Sequence, residues 1–72
     1  MTRSEHLEWA KQRALEYVDA GDPSGAFASM ASDLNKHPEL QGHVGVEMGT
    51  MLLIGGHLNS KTEMRKWIEG FN

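Results

Sequence analysis

The sequence predicts an all-α fold, with residues 1–72 forming one small domain of two antiparallel helical hairpins. Three observations predict it. Apolar residues recur three and four positions apart in four separate stretches, which is the spacing of a helix face. No stretch alternates between apolar and polar residues as a half-buried strand does. The two prolines, at positions 23 and 38, both fall where one predicted helix gives way to the next segment.

The first predicted helix covers about residues 3–20. Thr2 followed by Glu5 has the spacing of a capping box, in which each residue satisfies a backbone N–H of the other. Gly21 is placed to end the helix. One face carries the apolar residues Leu7, Ala10, Ala14, Tyr17 and Val18, and we expect this face to enter the core.

The second predicted helix covers about residues 24–36. Asp22 is its expected N-cap, and Pro23 suits the first turn, where a backbone N–H has no partner. Pro38 disfavours a helical residue before it, so the helix should stop just upstream. Its predicted core face consists of Ala26, Phe27, Met30, Ala31 and Leu34.

The fourth predicted helix covers about residues 60–71. Ser60 and Glu63 repeat the capping-box spacing at its start. Its apolar residues follow the i, i+3, i+4, i+7 pattern of an amphipathic helix, namely Met64, Trp67, Ile68 and Phe71.

The third predicted helix, about residues 43–56, has a different character because its only charged residue is Glu47. Gly45 and Gly49 lie one turn apart, and each glycine within a helix costs about 1 kcal/mol relative to alanine. A close backbone approach by a neighbouring helix is the compensation that this pattern predicts. Two interpretations stay open: the helix is the centre of the bundle, or it forms a self-association surface through Gly45, Gly49, Leu53 and Ile54.

Bulk composition restricts the classes of function. The formal net charge is −3, with seven Lys and Arg against ten Asp and Glu, so direct binding of duplex nucleic acid is not expected. There is no cysteine, which excludes disulfides and thiolate metal sites. No apolar segment approaches the roughly 20 residues that cross a bilayer, and no signal peptide is recognisable at the start. We therefore expect a complete cytoplasmic protein that does not enter membranes.

The first hairpin partly resembles a tetratricopeptide repeat. The matching spacing involves Ala14, Tyr17, Gly21, Ala26, Met30 and Pro38. The resemblance implies that small residues let two helices approach closely while an aromatic ring fills their crossing. The match is partial, because Trp9 is displaced by one position and Arg13 and Asp33 replace apolar motif residues.

Over nearly its full length the chain resembles a family of short bacteriophage and prophage proteins. The resemblance is carried by "SEHLEWAKQRALEYVDAGD" near the start, "AFASMASDLNKHPE" in the middle and "EMRKWIEGF" at the end. It implies an accessory phage protein that acts inside a bacterium. By analogy with such proteins, the partner would be a host factor, including CRISPR and other defence complexes.

Candidate partner-binding residues lie in the first half of the chain. Glu16, Asp19 and Asp22 cluster near the first turn, with Asp33 predicted to stand across from them on the second helix. Such carboxylates form either a solvated acidic face or a patch that mimics nucleic-acid charge. Trp9 sits at the margin of the apolar stripe, so it is either a buried indole or an exposed binding residue.

Catalytic and metal-binding signals are weak. His43 and Glu47 share a helix face, but no third ligand and no HExxH motif accompany them. The serines have no His and Asp context for nucleophilic catalysis. We therefore predict no enzyme activity, no catalytic residue, no metal and no cofactor. The predicted function is protein binding to a host factor, and the alternative is a homo-oligomer, such as a homodimer, with a ligand pocket between its subunits.

Overall fold

The computed structural model describes all 72 residues and contains four α-helices and no strand. These are α1 (Arg3–Asp19), α2 (Pro23–Leu34), α3 (Val44–Ile54) and α4 (Lys61–Glu69). α1 packs against α2 and α4, and α2 also packs against α4. The predicted all-α class is therefore confirmed, with each helix end within two residues of the prediction.

The predicted helix starts form as the sequence indicates. Thr2 and Glu5 make both hydrogen bonds of the capping box at the start of α1. The Asp22 side chain accepts a hydrogen bond from the Gly25 backbone N–H at 2.9 Å, and Pro23 occupies the first turn of α2. Gly21 adopts a φ of +79°, which only glycine reaches without strain, and this allows the tight connection between α1 and α2.

The core consists of twelve buried apolar side chains, and the three helices α1, α2 and α4 supply most of them. Leu40 and Leu58, from the segments that precede and follow α3, and Phe71, just after α4, complete it. Tyr17 was expected in the core, but it is 41% exposed, because it lies on the edge of the α1 stripe beside Gly25. None of the four helices has the length and apolar character needed to cross a bilayer.

The interpretation of the third helix as the centre of the bundle is wrong. Gly49 is the only buried residue of α3, and large apolar side chains on its outer side stand in solvent. The physical reason is space: α1, α2 and α4 already close the core between them, so α3 lies outside and can bury one side only.

Candidate protein-interaction site

The most unusual surface of the molecule is the outer side of α3. Val44, Met48, Met51 and Ile54 are between 57% and 82% exposed. At 100° per residue these four positions fall within an arc of about 120° on one side of the helix, in which Glu47, between Met51 and Ile54, is the one charged residue. We call these four residues the outer α3 face. A contiguous exposed apolar patch is typical of an interaction surface.

The opposite side of α3 carries the glycines and rests on two aromatic rings, one from α4 and one from the segment just after it. A Cβ at Gly49 would overlap the indole of Trp67, and one at Gly45 would come within 2.6 Å of the Phe71 ring. The Trp67 indole N–H donates a hydrogen bond to the Gly45 carbonyl at 3.0 Å. The predicted close approach is therefore present, but side-chain rings make it rather than the backbone of a neighbouring helix.

His43 fixes the start of α3 and connects it to the end of the chain. Its Nδ1 accepts a hydrogen bond from the Gly45 N–H at 2.9 Å, and its Nε2 lies 3.1 Å from the main-chain oxygen of Asn72. Since Nδ1 accepts and a main-chain oxygen can only accept, the proton of the neutral ring belongs on Nε2. His43 thus has a structural role at the helix start.

A shallow groove of about 370 Å³ separates the outer α3 face from α4. Its apolar walls are formed by Val44, Met48, Leu52, Trp67 and Phe71. Lys66 also lines it and is otherwise exposed, so one edge of the groove is cationic. The groove lies within one chain, and the ligand pocket expected between subunits stays a prediction.

The predicted self-association residues fall on two different sides of α3. Gly45 and Gly49 face inward against Phe71 and Trp67, and Leu53 is half-buried against the core. Only Ile54, which is 82% exposed, lies on the outer α3 face. Of the four predicted residues, three therefore face the rest of the molecule and one faces solvent, and their role in self-association stays a prediction. The spacing of Val44, Met48 and Met51, opposite the two glycines, was the signal for the outer side.

Asp33 does not belong to an acidic surface patch, because its side chain is only 2% exposed. Its carboxylate is held by Arg13 at 2.7 Å and by Lys36 at 3.0 Å. The His6 ring nitrogen Nε2 lies 2.6 Å from the Asp33 carbonyl oxygen, to which it donates. Burial of a carboxylate requires such partners, and Arg13 and Lys36 supply them.

The other acidic candidates are exposed, and two of them have structural partners. Asp19 receives a hydrogen bond from Arg65 of α4 at 2.6 Å, in an ion pair that water screens on both sides. Asp22 caps α2. Glu16 is exposed and lies beside Tyr17. With Asp33 buried and Asp19 paired, the predicted acidic surface is smaller than the sequence indicated.

Trp9 is partly buried against the core rather than fully exposed. Two cations lie over its ring, with the Arg13 guanidinium 5.0 Å and the Lys36 ammonium 5.7 Å from the centroid. The His6 ring lies 5.1 Å away. These neighbours cover much of the indole, so Trp9 offers less free surface than an exposed binding residue needs.

No three His, Asp or Glu side chains come close enough together to hold a metal ion. Comparison of the chain with protein-family models, with curated proteins and with solved structures gave no match. The bacteriophage and tetratricopeptide resemblances therefore stay predictions, and the surface of the molecule itself is the basis for assigning a function.

Proposed function

We propose that this protein is a non-enzymatic protein-binding module and that the outer α3 face is its docking surface. One observation carries the proposal: Val44, Met48, Met51 and Ile54 stand 57–82% exposed on a single helix, while α1, α2 and α4 bury their apolar stripes except for Tyr17 at the edge of α1. Full burial of one such side chain is worth about 1.5–3 kcal/mol. A partner that covers the face therefore recovers several such contributions.

The shape of this surface favours a protein partner over a small molecule. The outer α3 face is a convex ridge along one helix, beside a groove that is open to solvent. Small-molecule sites are concave and enclose most of their ligand. An apolar ridge with an adjacent groove suits an interaction in which two helices pack along their length.

The resemblance to bacteriophage proteins adds a biological context to this proposal, namely an accessory phage protein that acts inside a bacterium. In that setting the partner is a bacterial host factor, and binding blocks it, as in the inhibition of a CRISPR or other defence complex. The acidic surface near Glu16 and Asp22 would then add electrostatic steering toward a basic partner. The host factor as partner and its inhibition are inferred from the sequence resemblance.

The test is affinity capture with three matched proteins: the wild type, Met51→Glu and Gln12→Glu. Both substitutions add one carboxylate at an exposed helical position, but only the first lies on the outer α3 face. We expect the wild type and Gln12→Glu to capture the same protein, either a second copy or another chain, and Met51→Glu to lose it at least tenfold. Binding is then measured by calorimetry with purified proteins. Equal capture by all three proteins, or none by any, would overturn the proposal.

A further inference from the structure

Three of the four residues of the outer α3 face have the spacing of a coiled-coil seam, and the fourth, Ile54, lies toward the flank that carries Glu47. Val44, Met48 and Met51 follow intervals of four and three, which places them along the line where two parallel helices meet. Glu47 lies on one flank of this line, and Leu52 lies on the other flank, beside the groove. The seam itself contains no charged residue, so it can face an identical seam without repulsion.

Two opposite charges stand unpaired on the two flanks. Glu47 and Lys66 are both exposed, and neither makes an ion pair or a side-chain hydrogen bond within the chain. Lys66 lines the groove together with Leu52, so the cation belongs to the flank opposite Glu47. An exposed acid and an exposed base on opposite flanks of one apolar seam are complementary to a second copy of the same surface.

We propose that α3 of a second copy of this chain occupies the outer α3 face, with the two helices parallel and related by a twofold axis along their length. This inference rests on the proposed function and assigns the outer α3 face to a second copy in place of a host factor. In this arrangement the flank of α3 that carries Glu47 meets the opposite flank of the partner helix. Glu47 then lies next to a position about five residues further along that helix, where Leu52 of the partner subunit and Lys66 of the partner subunit lie. Because of the twofold axis, the ion pair between Glu47 and Lys66 of the partner subunit forms twice in the dimer.

The charges distinguish this arrangement from the antiparallel one. When two helices pack antiparallel about a twofold axis, like flanks meet like flanks, so Glu47 would approach its own copy and Lys66 would approach its own copy. Like charges placed together oppose association. The parallel arrangement converts both repulsions into attractions.

The size of the surface determines the kind of dimer. Each exposed aliphatic side chain carries on the order of 100 Å² of apolar surface, so the outer α3 face contributes roughly 300 Å² from each copy. Even with the groove wall added, the total from both copies stays below the range of about 1,200–2,000 Å² that stable, specific protein interfaces bury. The dimer is therefore reversible, and its population depends on concentration.

Sedimentation equilibrium over a range of concentrations tests the association. The average mass should rise from 8.0 kDa toward twice that value as concentration increases. Glu47→Lys and Lys66→Glu should each raise the dissociation constant about fivefold or more, and the double variant should return it to within about twofold of the wild type. Glu8→Lys and Lys61→Glu are the matched controls at exposed positions elsewhere, and both should leave it unchanged.

Cysteine cross-linking tests the parallel direction, since the chain contains no cysteine of its own. Val44→Cys should form a covalent dimer under mild oxidation, because a parallel twofold brings each residue of the seam next to its own copy. An antiparallel pair centred near Met48 would separate the two copies of residue 44 by more than 10 Å. Gln12→Cys, on α1, should stay monomeric under the same conditions.

Three results would overturn the inference. The first is a mass of 8.0 kDa at every concentration up to the millimolar range. The second is a dimer that neither charge reversal weakens, and the third is a dimer in which Val44→Cys does not cross-link. If the wild type is monomeric but captures another protein that Met51→Glu does not, the second copy is excluded as the partner while the proposed function stands. Circular dichroism on each variant shows that it is folded.

Discussion

α3 and α4 are neighbours of similar length, yet their burial is opposite to their overall hydrophobicity. α3 has one charged residue among eleven and buries only Gly49. α4 carries five charged residues among nine and buries Met64 and Ile68 completely. The apolar residues of α4 are concentrated on one face, whereas those of α3 surround the helix. The concentration of apolar residues on one face, rather than their number, therefore determines which helix enters a small core.

Aromatic contacts of Trp67 in α4 link α3 to the other helices. Trp67 stacks on Phe27 of α2 with ring centroids 5.1 Å apart, and it meets Phe71 edge to face at 5.0 Å. The same indole lies against Gly49 of α3. α4 therefore connects α3 to the rest of the molecule, and α3 is left with its other side free.

Replacing an isoleucine by alanine on α4 should lower the free energy of unfolding far more than the same replacement on α3. Ile68 on α4 is fully buried, so Ile68→Ala removes core contacts and leaves a cavity, which should lower the free energy of unfolding by about 2–5 kcal/mol. Ile54 on α3 is 82% exposed, and Ile54→Ala should change it by less than about 0.5 kcal/mol. Urea unfolding of dilute protein, where monomer dominates, measures both. Equal losses would show that α3 is part of the core.

A smaller effect should follow from filling the contact between α3 and α4. Gly49→Ala gains about 1 kcal/mol of helix propensity. The new Cβ would overlap the Trp67 indole, which cannot move freely because it is stacked on Phe27 and bonded to the Gly45 carbonyl. Overpacking of this kind costs roughly 1–3 kcal/mol, so we expect a net loss of stability of about 1 kcal/mol.

A double-mutant cycle with Trp67→Leu provides the control for this contact. In the Trp67→Leu background the ring is gone, and Gly49→Ala should become neutral or stabilising because only the propensity gain remains. Thermal or urea unfolding of the four proteins gives the coupling. If Gly49→Ala stabilises the protein that retains Trp67, the indole does not confine α3 in the way described.

A smaller effect is expected on the stability of the first turn of α1. At the start of α1 the Thr2 backbone N–H donates to the Glu5 carboxylate, and this bond together with the Thr2 side chain holds the pKa of that carboxyl below the ordinary glutamate value. The ionised form is therefore favoured in the folded state, so its contribution is present above the ordinary pKa and is lost as pH falls through the lowered one. NMR titration of Glu5 and amide exchange in residues 3–6 should show fraying only in acid.

Glu5→Gln is the control for this titration. It retains a side chain that can accept from the Thr2 N–H but removes the charge, so the first turn of α1 should lose its acid sensitivity. A Glu5 carboxyl that titrates at or above the ordinary value would contradict the capping geometry.

Much of the fold could be predicted because the signals are local. Capping residues, prolines and turn glycines mark where each helix begins and ends, and the stripes through Ala14, Met30 and Ile68 identify the core faces of three helices. The burial of Asp33 could not be predicted in the same way. It depends on Arg13, twenty positions away along the chain, and on Lys36 arriving at the same carboxylate.

The number of helices, their limits and the apolar side of α1, α2 and α4 follow from the sequence, because these depend on contacts within a few residues of each position. Which side of α3 faces the protein and which faces solvent depends on contacts between helices. A helix that is apolar nearly all round has no local preference for either side. Trp67 of α4 and Phe71, just after α4, fit against Gly49 and Gly45 and leave Val44, Met48 and Met51 outside.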